Sequence, residues 1–148
     1  MGAAPLDVRA SASVKAPLAA AGLARLATAV LRAEGVRRAA VSIALVGRRR
    51  IRCVNRIHRG RDRETDVLAF GLSGPGGFVA GDVYCCPEVA ARQARRYGTT
   101  PQDELRRLVV HGVLHVLGYD HPGGEERVRS AMWRRQERYV ARFGRLAR

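Results

Sequence analysis

Lysine is nearly missing from this 148-residue chain: Lys15 is the only one, and arginine carries almost all of the positive charge. Acidic residues are scarce as well, 13 against 27 basic ones, which leaves a formal net charge of +14. A field of that size draws in polyanions and makes their binding sensitive to salt. The competing explanation is a biased genome rich in arginine and alanine, in which these charges simply solvate the surface. Cysteine is limited to Cys53, Cys85 and Cys86, an odd number with two adjacent, so no disulfide framework of the secreted kind is available. A reducing cytoplasm is the expected compartment. Long apolar runs are missing too: residues 16–24 are rich in alanine and glycine, and Arg25 and Arg32 interrupt their continuation, which argues against a secretory core or a membrane span. Met1-Gly2 opens a myristoylation-like pattern, but Leu6 stands where Ser or Thr is required. No repeat, linker or low-complexity segment breaks the chain, so a soluble single domain over 1–148 is expected, with no membrane partner.

What is present is a globular composition, 47% hydrophobic and 27% charged. Weak alternation near residues 6–12 predicts an edge strand. Leu18, Leu23, Leu26, Ala27, Val30 and Leu31 recur at helical spacing and predict a helix over 17–34, stopped by Gly35. Residues 39–46 are short and β-rich and predict a buried strand, and Ile51, Val54, Asn55 and His58 predict a short helix over 49–58, closed at Arg59-Gly60. Strand-like runs at 65–72 and 78–84 flank Ser73-Gly74-Pro75-Gly76-Gly77 and predict a hairpin. Residues 87–97 predict a helix with an arginine-rich exposed face. The next helix start is well marked: Thr100 caps, Pro101 takes the first position, and Asp103 and Glu104 place negative charge at the positive end of the dipole. This helix is apolar nearly all round from Leu105 to Leu117 and belongs at the centre, ending at Gly118. A last helix is expected to open at Glu125-Glu126 and to carry Val128, Met132, Tyr139, Val140 and Phe143 inward.

The chemistry lies in His111-Gly112-Val113-Leu114-His115-Val116-Leu117-Gly118-Tyr119-Asp120-His121. Two histidines four apart on a helix differ by about 40° of rotation and about 6 Å of rise, so both imidazoles leave one face and can meet one ion. Gly118 can leave the helix in a left-handed conformation and swing His121 back to the same point. Three of the chain's four histidines fall in this segment, too many at ligand spacing for isolated core histidines. Three neutral imidazoles suit one Zn(2+) per chain, and a fourth position left for water marks a catalytic site rather than a structural one. The H-x-x-x-H-x-x-G-x-x-H spacing is shared with metzincin peptidases, but those place a glutamate general base directly after the first histidine, where this chain has Gly112. A peptidase is therefore the second choice. Met132 is better read as a core residue than as part of a Met-turn.

The segment HGVLHVLGYDH resembles the signature of the YbeY family, bacterial zinc endoribonucleases of ribosomal RNA maturation. Asn55, Arg59-Gly60, Asp62, Thr65-Asp66-Val67-Leu68 and Gly81-Asp82-Val83 extend the resemblance over residues 51–139. The chain departs from the family at Ala69-Phe70-Gly71, where Ser-Phe-Pro is usual, and at Glu64, where a proline commonly stands; these departures concern the cleft wall. The resemblance implies an α+β fold, a small mixed β-sheet of about four strands surrounded by about five helices, with the three-histidine zinc site at the end of a central helix and the mouth of a basic cleft. It implies single-stranded RNA as substrate, at the 3' end of small-subunit (16S) ribosomal RNA, and a part in ribosome quality control. The small ribosomal subunit and assembly factors are the implied partners, and no DNA is expected. In that reading His111, His115 and His121 are the metal ligands and catalytic residues. Arg59 stabilises added negative charge through its planar, always-charged fork. Asp120 either orients a ligand imidazole or serves as acid or base, and the parts played by Asp66 and Asp82 stay open. A third possibility is a non-catalytic ribosome-assembly factor with structural zinc, which would need a fourth ligand such as Cys85, Cys86 or His58. If the +14 charge serves RNA binding, affinity for a single strand falls steeply between low and moderate salt. A titration series over salt checks this, and a flat response would favour the compositional explanation.

Overall fold

Alternation within Ala39–Leu45 (β2) sets the two faces of the sheet: Ala39, Val41, Ile43 and Leu45 are buried, while Ala40 and Ser42 are exposed. The computed structural model of the chain describes residues 6–148; Met1-Gly2 lies outside them. β2 pairs in parallel with Leu6–Ala12 (β1), Leu6 opposite Ala39, and Val79–Cys85 (the fourth strand, β4) pairs in parallel along its other edge. Val67–Ser73 (β3) runs antiparallel to β4, completing a four-stranded mixed sheet in the order β1-β2-β4-β3. Parallel neighbours need a crossover. Ala20–Ala33 (α1) supplies the one between β1 and β2, burying Leu23, Leu26, Ala27, Val30 and Leu31 against the inner face. The expected hairpin is β3–β4, joined through a 3-10 turn at Pro75–Gly77.

Arg48–Arg59 (α2) lies on the other face of the sheet, where Ile51 and Val54 pack with Leu68, Cys86 and Val89. It covers only one end of that face. β2 is the buried strand expected from its sequence on its inner face, while Ala40 and Ser42 on the outer face lie beyond the reach of α2. Pro87–Tyr97 (α3) leads to Pro101–Val116 (α4), whose start is capped as expected, Thr100 Oγ1 accepting the Asp103 N–H at 3.1 Å. Buried Leu105, Leu108, Val109, Val110, Val113 and Leu114 make α4 the centre of the main core, in contact with α1, α3, β3, β4 and the last helix, Ala131–Phe143 (α5).

Two expectations need correction. The first helix begins at Ala20 rather than residue 17, because Ala19 is extended and gives its N–H to the Arg148 carbonyl at 2.9 Å. The last helix does not open at Glu125-Glu126. Gly124–Arg129 forms a 3-10 segment, Ser130 caps a new start by accepting the Trp133 N–H at 3.1 Å, and Val128 stays 48% exposed instead of turning inward. Among the described residues no helix is long and apolar enough to cross a membrane.

α4 lies unusually close to the sheet because glycine faces it from both sides. A Cβ on Gly81 of β4 would fall 2.6 Å from Val116 Cγ1, one on Gly71 of β3 2.6 Å from the Val116 carbonyl oxygen, and one on Gly112 of α4 2.5 Å from Val83 Cγ1. Gly112→Ala therefore forces α4 off β4. Overpacking of this kind costs about 1–3 kcal/mol, and denaturant unfolding should show that loss with the helix content unchanged. A wild-type midpoint would mean the contact relaxes freely.

Candidate metal centre

The last two turns of α4 carry His111 and His115, and the chain then reverses. Gly118, with φ of 97°, takes the left-handed conformation expected of it, while Gly118 N–H bonds the His115 carbonyl at 2.9 Å and Tyr119 N–H the Leu114 carbonyl at 3.0 Å. The reversal returns His121 to the same face. Ring centroids are 4.6 Å apart for His111 and His115, 4.9 Å for His111 and His121, and 5.1 Å for His115 and His121. One nitrogen from each ring lies within 4.8 Å of the others, and Nε2 of His111 and His121 are 3.2 Å apart.

The opposite nitrogens explain this convergence. His115 Nδ1 lies 2.9 Å from the Tyr119 carbonyl and His121 Nδ1 2.8 Å from the Pro122 carbonyl. A carbonyl only accepts, so both Nδ1 atoms carry the proton and both Nε2 lone pairs face inward. His111 Nδ1 is 2.7 Å from Oε1 of Gln136, whose Nε2 donates to Glu137 at 3.2 Å, so the amide oxygen is the end offered to the ring. Burial lowers the pKa of His111 to about 4, the charges of His115, His121 and Arg127 adding to the shift and the Gln136 bond opposing it. Burial also lowers the pKa of His115, followed by the effect of His121. Both rings are therefore neutral at neutral pH, the form that ligates a metal.

Gln136 is not evident as a site residue from sequence motifs. It lies on the inward face of α5 between Met132 and Tyr139 and is 2% exposed, so its signal is a polar residue inside an apolar stripe. Glu34 is the second residue missed. Its carboxylate accepts from the Tyr119 hydroxyl at 2.6 Å, from Arg135 at 2.8 Å and from the Tyr139 hydroxyl. Burial alone would raise its pKa, but these three donors outweigh it and hold the carboxyl below its usual value. Glu34 thereby pins the Tyr119 turn whose carbonyl orients His115.

The other expected residues separate. Asp120 does not bond an imidazole; its Oδ1 accepts the His121 backbone N–H at 2.8 Å and shapes the turn. Asp66 accepts the Val67 N–H at 2.8 Å, and Asp82 takes the Ser42 hydroxyl at 2.6 Å on the outer sheet face. Met132 is a core residue. Cys85 and Cys86 are buried, with thiol pKa values pushed up by burial, and His58 packs on Phe70 at 5.0 Å. None of them joins the cluster, so among the described residues the three histidines have no fourth side-chain ligand. Arg59, at the end of α2, donates to the Ala69 carbonyl at 3.1 Å and lies over Phe70 at 5.2 Å. Buried Asn55 fixes its approach, donating to the Arg63 carbonyl at 3.0 Å and so tying α2 to the loop before β3. The charge of Arg59 reaches His115 and helps to lower that pKa. A cleft of about 1080 Å³ opens beside His111 and His121, lined also by Asp66, Glu104 and Arg127.

The family model described as endoribonuclease YbeY matches residues 9–144. Among curated relatives, proteins named endoribonuclease YbeY are similar to this chain. That of Pelotomaculum thermopropionicum is 43% identical over 129 residues, 82% of this chain and 84% of the relative. That of Aquifex aeolicus is 40% identical over 113 residues, 74% of this chain and 73% of the relative. That of an Anaeromyxobacter species is 50% identical over 105 residues, 70% of this chain, and the chain spans about half of its length, 55%. The solution structure of a Thermotoga maritima protein superposes with a TM-score of 0.60 at 29% identity, covering 91% of this chain and 86% of that one.

Gln136→Leu keeps the size and burial of the side chain but removes the acceptor behind His111. Loss of such a supporting bond typically costs about 10–100-fold in metal affinity. Competition with a chromogenic chelator measures it, and wild-type affinity would show that His111 needs no partner.

Proposed function

The chain belongs to the endoribonuclease YbeY family, and from that premise we propose that it is a zinc-dependent endoribonuclease of single-stranded RNA. In this proposal it acts in the cytoplasm on the 3' end of small-subunit ribosomal RNA and in ribosome quality control, with the small ribosomal subunit and assembly factors as partners. The 148 residues act as one domain. The observation that carries the proposal is the convergence of three imidazoles, each engaged at Nδ1 by a partner outside the cluster.

That donor set fits a divalent ion with no protein group at the fourth position, and nitrogen ligands without thiolate or carboxylate suit zinc. Zinc held there would supply a Lewis acid that acidifies water and polarises a phosphoryl oxygen. The chain's own residues do the rest. Gln136 and the carbonyls of Tyr119 and Pro122 keep the three rings in one tautomer and one orientation. Arg59, steadied by the Ala69 carbonyl and the Phe70 ring, retains donors for the phosphate oxygens on which charge accumulates.

Two observations favour this chemistry over the alternatives. A metzincin-like base at position 112 would need a Cβ 2.5 Å from Val83 Cγ1, on the sheet side of α4. A structural zinc would need a fourth ligand, and Cys85, Cys86 and His58 are all committed elsewhere.

Arg59→Glu is expected to retain zinc and fold yet lose cleavage, since an anion would then face developing negative charge. Arg59→Lys restores the charge without the fork and recovers the rate only in part. His115→Ala leaves two ligands and is expected to lose the metal and cleavage together. Zinc content, thermal unfolding and single-turnover cleavage of a single-stranded RNA test all three. A wild-type rate in zinc-loaded Arg59→Glu would remove Arg59 from the mechanism, and cleavage surviving in His115→Ala would point to a contaminating nuclease.

A further inference from the structure

Resting on the reading that an RNA strand crosses the three histidines, we propose that Arg127, braced on Trp133, binds the phosphate next to the one being cut. Arg127 belongs to the 3-10 segment Gly124–Arg129 that follows His121, and it lines the same cleft as His111 and His121. Its guanidinium lies over the Trp133 ring at 5.5 Å. A guanidinium held over an aromatic face keeps its donors and its charge available for an oxyanion. Its Nε is buried and makes no hydrogen bond, and among the described residues no carboxylate forms an ion pair with it. Buried donors in native proteins nearly always have an acceptor. A phosphate oxygen arriving in the cleft supplies one.

Two of the neighbouring charged groups already have partners of their own. Arg107 is committed to Glu137 at 3.0 Å and to the Thr99 hydroxyl at 3.3 Å. Asp66 is engaged by the Val67 N–H and the Thr65 hydroxyl. Glu104 is half-buried, and burial raises its pKa against the opposing charges of Arg107 and Arg127. Arg127 and Arg129 both line the cleft and, among the described residues, neither forms an ion pair; Arg127 is the one set on an aromatic ring, with a buried Nε that makes no hydrogen bond. A single strand carries one phosphate per nucleotide, so a phosphodiester placed at the histidines carries a neighbouring phosphate into the cleft that Arg127 lines.

The test measures binding of a short 2'-O-methyl oligoribonucleotide by the zinc-loaded wild type, Arg127→Gln and Arg127→Lys over a series of salt concentrations, with thermal unfolding alongside. Arg127→Gln should weaken binding about tenfold at low salt and reduce the salt slope by roughly one contact. Arg127→Lys should recover the slope but only part of the affinity. With cleavable RNA, Arg127→Gln should raise KM for a longer strand with little change in kcat, and should leave cleavage of a dinucleotide, which has one phosphodiester, within about twofold of wild type. Unchanged slope and affinity overturn the proposal. So does an equal loss for dinucleotide and longer strand with a lowered unfolding temperature, which would make Arg127 a structural brace. A wild type that binds RNA without cutting it overturns the nuclease reading while the Arg127 slopes stay decisive; one that binds no RNA overturns both.

Discussion

Three imidazoles can face one another across a few ångströms only if they are uncharged and each is held by its far nitrogen. Two protonated rings at such a distance would repel, and a ring without a fixed Nδ1 partner could turn its protonated face inward. Here the far nitrogens are held from three directions: by an amide from α5, the carbonyl of the turn after α4, and the carbonyl of Pro122. The rest of the structure serves these three acceptors. α5 has to dock on α4 for Gln136 to reach His111, and the Tyr119 turn has to be anchored for its carbonyl to meet His115. Glu34 does the anchoring at the C-terminal end of α1, drawing Tyr119, Arg135 and Tyr139 onto one carboxylate.

The same centre depends on how near α4 comes to the sheet. Gly71, Gly81 and Gly112 let backbone and Val side chains interlock where any Cβ would collide. The consequence is chemical as well as mechanical. Position 112 is spent on packing against Val83, so the residue after the first histidine cannot carry a base into the cleft. One ligand spacing thus serves two arrangements, according to whether this position faces the sheet closely or projects a carboxylate.

Much of this was legible in the sequence because it rests on local rules. The Thr100 cap, the β3–β4 hairpin around residues 73–77, the glycine at 118 and the four-residue spacing of His111 and His115 depend on neighbours in the chain. What escaped depends on partners far along it. Gln136 meets His111 across 25 residues and Glu34 meets Tyr119 across 85, and no periodicity records either distance. The 3-10 segment at Gly124–Arg129 was hidden for a different reason. Its two acidic residues look like a helix start, but Ser130 offers the cap that forms, and the apolar residues that α5 buries come only after it.

Charge divides along the same line between general and local effects. A formal +14 describes the whole chain, yet many of its arginines are already answered at the surface: Arg52 by Asp62, Arg92 by Glu64, Arg106 by Asp103, Arg107 by Glu137. Such pairs contribute little to stability when exposed, and they remove local attraction for a polyanion while leaving the net charge unchanged. The two arginines to which the proposals give a part in the chemistry have incomplete acceptors. Arg59 spends one donor on a carbonyl and rests on an aromatic face, and Arg127 rests on an aromatic face with its buried Nε unbonded. An aromatic support orients a guanidinium without consuming its donors or its charge. This is the physical difference between these two cations and the ion-paired ones around them; Arg38 over Phe78 and Arg142 over Phe143 have the same support away from the histidines.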